Sequence, residues 1–125
     1  MNTVLILGAR GRFGQAAAQA FARAGWRVLA QIRPGKAAPE NAPNNMASDV
    51  TWLRLDLHDT ATLLQAAQGA QVVVHALNPS HYTDTAWTRE APALLETSLD
   101  LAQQLGATLM MPGNVYNFGT QLPPR

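Results

Sequence analysis

The spacing of apolar residues constrains this chain more than any other feature. Short, nearly unbroken apolar runs alternate with segments of helical period. The runs are TVLILG (3–8), WRVLAQI (26–32), AQVVVHAL (70–77) and ATLMMP (107–112), with VTWLRLD (50–56) a fifth of partly alternating pattern. Continuous Val, Leu and Ile suit strands covered on both faces, the habit of parallel sheets. In GRFGQAAAQAFARAG, Phe13, Ala17, Ala20, Phe21 and Ala24 share one helical face and Gly25 is a stop. In DTATLLQAAQG, Asp59 is placed to cap and Leu63, Leu64 and Ala67 to face a core. WTREAPALLETSLDLAQQLG carries a stripe of Ala91, Leu95, Ser98, Ala102 and Leu105 before Gly106, and Pro92 predicts a late start or a kink.

Strand and helix alternating at these lengths imply right-handed crossovers. The expected class is α/β: a doubly wound parallel sheet of the Rossmann type, about five strands in order 3-2-1-4-5, with helices on both faces. The sixth strand of such a sheet is missing from this reading. Residues 33–49, rich in Pro and Asn, read as a long surface loop, and nothing divides 1–125 into two domains.

Composition excludes several function classes. A net charge of +1 provides no field for nucleic acid or an anionic membrane. The absence of cysteine removes disulfides, thiolate metal sites and cysteine nucleophiles. The N-terminus lacks the pattern of a signal peptide, and its apolar run falls far short of the roughly 20 residues of a membrane span. The expected location is the cytoplasm.

The chemistry concentrates in LILGARGRFG, where Gly8, Gly11 and Gly14 sit between a strand end and a helix start. Gly8 permits the tight turn, Gly11 lets a pyrophosphate approach the backbone, and Gly14 lets the helix lie against the sheet. The helix start offers free N–H groups to phosphate. The spacing G-x-x-G-x-x-G differs from the usual dinucleotide fingerprint, so the physics rather than the motif supports the reading. A tight turn without a ligand is the plain alternative.

NAD sites usually end the second strand with an acid that holds the ribose hydroxyls. Here that strand ends AQIRPGK, with Arg33 in that place and Arg10 and Arg12 in the glycine turn. Guanidinium groups without a carboxylate suit a 2′-phosphate, which favours NADP over NAD. Asp56 and Leu57 are candidates for the base contact, with a turn aspartate the competing role for Asp56. VHALNP leaves the fourth strand where the nicotinamide ribose would pass, bringing in Ala76, Leu77 and Asn78. His75 reads as a satisfied strand histidine, and His58, His75 and His81 have no metal-ligand spacing.

GARGRFG, IRPG, LDL, VHALNP and MPGNVYNFG, each following a strand, together resemble the short-chain dehydrogenase/reductase superfamily. The nearest branch is the extended one, that of the NAD(P)-dependent epimerase/dehydratase-like proteins. The resemblance runs through almost the whole chain. It implies a dinucleotide site at Gly8, Arg10, Gly11, Arg12, Phe13, Gly14, Arg33, Asp56, Leu57, Ala76, Leu77, Asn78 and Pro112. Asn114 and Tyr116 fall on the substrate or nicotinamide side. The resemblance also implies a small-molecule substrate for a longer protein.

The chain departs from that pattern twice. The family's catalytic Ser or Thr after the fifth strand falls on Pro112 or Gly113, and the Tyr-x-x-x-Lys pair expected downstream has no counterpart before Arg125. The single lysine, Lys36, lies elsewhere. The expectation is therefore the N-terminal NADP-binding portion of a longer oxidoreductase, with a non-catalytic NAD(P)-sensing module as the alternative. An unpaired, apolar fifth strand at the sheet edge further predicts a two-fold homodimer.

Overall fold

The computed structural model describes residues 2–34, 50–77, 84–112 and 114–117, with the backbone alone for 84–91 and 114–117. The elements are β1 (Thr3–Leu7), α1 (Arg12–Arg23), β2 (Arg27–Ile32), β3 (Val50–Arg54), α2 (Thr60–Ala66), β4 (Val72–His75), α3 (Asp84–Leu105), β5 (Thr108–Met111) and β6 (Asn114–Asn117). Residues 35–49, most of the stretch expected to form a surface loop, lie outside the described residues.

Among the described residues the sheet order is β3-β2-β1-β4-β5-β6. The first five strands are parallel, in the order 3-2-1-4-5 expected from the sequence. The sixth corrects that expectation. NVYN turns back and pairs antiparallel with β5, with Met111 opposite Asn114 and Thr108 opposite Asn117. The outer edge of β5 is thus occupied, and the ground for a dimer through that edge is removed.

Successive strand residues point to opposite faces, and this chain sorts them by shape. Val4, Ile6, Val28, Ala30, Ile32 and Val74 form one face, against Ala18 and the partly buried Phe21 of α1. Leu5, Leu7, Leu29, Val73 and Leu109 form the other, against Leu63 of α2 and Leu101 and Ala102 of α3. Each fully buried Val or Leu contributes roughly 1.5–3 kcal/mol of transfer free energy. Edge-to-face contact of Phe21 with Trp26, 5.0 Å between centroids, ties the end of α1 to the start of β2.

Three local expectations change. The stripe expected on α1 holds only in part: Ala17 and Phe21 pack against the core, but the fully buried residues are Gly14 and Ala18, and Phe13, Ala20 and Ala24 are exposed. Alanine lies nearly all round this helix, so periodicity alone leaves its phase open, and the demand for close approach selects the smallest residues. Asp59 occupies the N-cap position of α2 but makes no side-chain cap bond. Finally, α3 runs through Pro92 rather than starting after it.

Candidate functional site

A cleft of about 590 Å³ opens at the carboxyl ends of the parallel strands. Its floor is the turn from β1 into α1. Gly8 has φ +80°, and a Cβ there would lie 2.7 Å from the Ala76 carbonyl oxygen, so both the turn and the neighbouring strand require glycine. Gly14 is needed for a different reason: its Cβ would lie 2.5 Å from the Gly8 carbonyl oxygen. Gly11 is the N-cap of α1, with extended backbone and no side-chain cap, and no acid lies in the first turn. That leaves the helix start, whose cap residue Gly11 lines the cleft, with the positive end of its dipole and no competing carboxylate of its own. The turn is braced where Gln15 Nε2 donates to the Arg10 carbonyl at 2.7 Å.

Of the residues singled out in the sequence, Gly8, Arg10, Gly11, Arg33, Asp56, Leu57, Ala76 and Leu77 line the cleft. Arg12, Phe13, Gly14 and Pro112 do not: Arg12, Phe13 and Pro112 are exposed elsewhere and Gly14 is buried beneath the turn. Asn78 lies outside the described residues. Asn114 stays level with the carboxyl end of β5, opposite Met111, whereas Tyr116 pairs with Leu109, two residues back along the strand. The hairpin therefore carries Tyr116 away from the end where the cleft opens.

Asp56 fills the turn role set against its base-contact role. Its Oδ1 accepts the His58 N–H at 2.8 Å, and its carbonyl accepts the Asp59 N–H at 3.0 Å. His58 also lines the cleft, a position the metal-spacing argument passed over. His75 is buried at the end of β4, its Nδ1 2.6 Å from Ser98 Oγ of α3, and burial pushes its pKa below the ordinary value of 6.5. It is the satisfied strand histidine that the sequence suggested.

Gln31 was missed. It is 2% exposed and lines the cleft, its Oε1 accepting the Gly8 N–H and its Nε2 donating to the Leu55 carbonyl, both at 2.9 Å. A lone amide in a strand buried on both faces was the available signal, since such a group needs partners. Among the described residues no group of three His, Asp or Glu is placed to hold a metal, and no helix is long and apolar enough to cross a membrane.

A crevice over a glycine turn and a helix start, at the carboxyl ends of a 3-2-1-4-5 sheet, defines a Rossmann-type α/β domain. Residues 1–96 match the NmrA-like family, and the chain belongs to that family. Among curated proteins there is no match. Similar solved structures include UDP-glucose 4-epimerase from Brucella ovis in complex with NAD, with a TM-score of 0.66 and 17% identity over 89% of this chain and 35% of that one. WbmH from Bordetella bronchiseptica, in complex with NAD+, gives 0.63 and 19% over 84% and 36%. An epimerase from Methanothermobacter thermautotrophicus gives 0.64 and 18% over 85% and 33%. At these identities the likeness establishes the fold, and the chain spans about a third of the length of these proteins.

Proposed function

We propose that this chain is the NADP(H)-binding portion of an epimerase/dehydratase-like oxidoreductase. The observation that carries the reading is the lining of the cleft: Arg10 and Arg33 share it with Gly8 and Gly11, and β2 ends without an acid. A dinucleotide fits these residues. The cleft has the volume usual for small-molecule sites, the uncapped start of α1 suits a pyrophosphate, and the two guanidinium groups suit a 2′-phosphate. Arg33, Arg10 and the Gly8–Gly11 turn would hold the phosphates, with Leu57, Ala76 and Leu77 offering apolar contact. Solved relatives of similar fold hold NAD, which supports a nicotinamide dinucleotide, while the arginines argue for its phosphorylated form. When bound, the cofactor would supply a hydride donor or acceptor. A small-molecule substrate and a cytoplasmic location belong to the same proposal.

Titration with NADPH and NADH tests it. Arg33→Ala is expected to weaken NADPH binding by roughly 1.5–3 kcal/mol, the scale of a charged hydrogen bond, and to leave NADH binding nearly unchanged. Equal affinity for NADPH in both proteins would remove Arg33 from the site.

One observation favours a second reading, a non-catalytic NAD(P)-sensing module. Pro112 follows β5 directly, at the place where the resembled family carries a hydroxyl. A Tyr-x-x-x-Lys pair in a longer reading frame would decide for the enzyme.

A further inference from the structure

We propose that Gln31 is a positioning residue of the cleft, a side-chain rung that holds the glycine turn at a set distance from the wall formed by Asp56 and His58. The inference rests on the dinucleotide reading above. In register, Gln31 lies between Leu7 of β1 and Leu53 of β2's other neighbour, β3. The paired residues of β1 end at Leu7 and those of β3 at Arg54. Gly8 N–H and Leu55 C=O are the next groups along, just past the paired residues on each side. Gln31 satisfies both, with two bonds of 2.9 Å from one amide. One residue further the Ala9 N–H donates to the Gln31 carbonyl at 3.0 Å, so the side chain adds to a backbone tie between the turn and β2.

The surroundings make this more than a filled gap. Gln31 shares the Leu-lined face of the sheet with Leu5, Leu7 and Leu29, and Leu53 and Leu55 pack there. An apolar side chain would match that face, whereas an amide there costs desolvation unless both its ends are bonded. Its orientation is dictated by its partners, since an N–H only donates and a carbonyl only accepts. With the Gly8 N–H engaged by Gln31, a bound phosphate would be left to the first turn of α1. The same amide keeps the segment carrying Asp56, Leu57 and His58 in place as the opposite wall.

The partner chemistry supplies the test. A neutral, protonated carboxyl reproduces both bonds of the amide, while a carboxylate can accept from Gly8 but turns an acceptor toward the Leu55 carbonyl. NADP+ binding by calorimetry and amide exchange at Gly8 would be measured between pH 5 and 8.5 for wild type, Gln31→Leu and Gln31→Glu. The expected results are binding about tenfold or more weaker in Gln31→Leu, faster exchange of the Gly8 amide, and Gln31→Glu binding that approaches wild type at the acid end and falls away as pH rises. If Gln31→Leu does not fold, the Gln31→Glu profile relative to wild type decides. Affinity unchanged in Gln31→Leu, or a Gln31→Glu profile that follows wild type throughout, overturns the role of Gln31 and leaves the dinucleotide reading standing. A wild-type chain that binds no NADP+ overturns both.

Discussion

A methyl group at Gly14 would sit 2.5 Å from the Gly8 carbonyl oxygen and 2.8 Å from the Ala9 Cα, both backbone atoms of the turn. Backbone does not yield as the tip of a side chain does, so Gly14→Ala must lift α1 or deform the turn. A destabilisation of about 1–3 kcal/mol is expected, the usual scale of overpacking, read as a lower urea midpoint with unchanged slope. His75 makes a residue-scale prediction of opposite origin. Burial lowers its pKa, so below about 6.5 the unfolded chain takes up a proton that the folded chain resists. Stability from neutral His75 is therefore complete above that value and is lost as pH falls toward the depressed folded value. Thermal melts at pH 7.5 and 5.5 should show a larger drop in wild type than in His75→Gln, which does not titrate. At this scale the sequence reveals types more readily than tasks. His75 could be recognised as a satisfied polar group, but its partner Ser98 lies 23 residues away on another element. Gln31 hid inside an apolar run because its partners are backbone atoms just past the ends of β1 and β3, which no local pattern displays.

At the scale of elements, β6 changes the character of the sheet edge. Its pairing with β5 covers the ladder that β5 would otherwise present, and an uncovered apolar edge strand is a template for association. A chain shortened to end at Met111 should therefore gain apparent mass in light scattering as concentration rises, while the full 125 residues should not gain it through β5. Equal behaviour of the two chains would show that β6 does not guard that edge. The hairpin escaped the sequence reading because NVYN alternates too briefly to announce a strand and directly follows Pro-Gly, a turn signal. The phase of α1 escaped for the opposite reason, an excess of alanine rather than a lack of signal. The strong elements were legible because leucine and valine runs as long as TVLIL and RVLAQI leave few alternatives.

Over the whole molecule, strand order followed from chain alternation and the handedness of crossovers, and the cleft followed from strand order. Residues placed at strand ends by that logic, such as Arg33, Asp56 and Ala76, do line it. Within the glycine turn the outcome divides at the helix start: Arg10 and Gly11 line the cleft, whereas Arg12 and Phe13, the first two residues of α1, do not. The hairpin also sets a path. Because β6 runs against β5, the backbone leaves Asn117 level with Thr108, three residues below the carboxyl end of β5, or roughly 10 Å. Any catalytic group carried by a longer protein beyond that point must climb the height of the sheet again before it can meet a molecule held above Gly8.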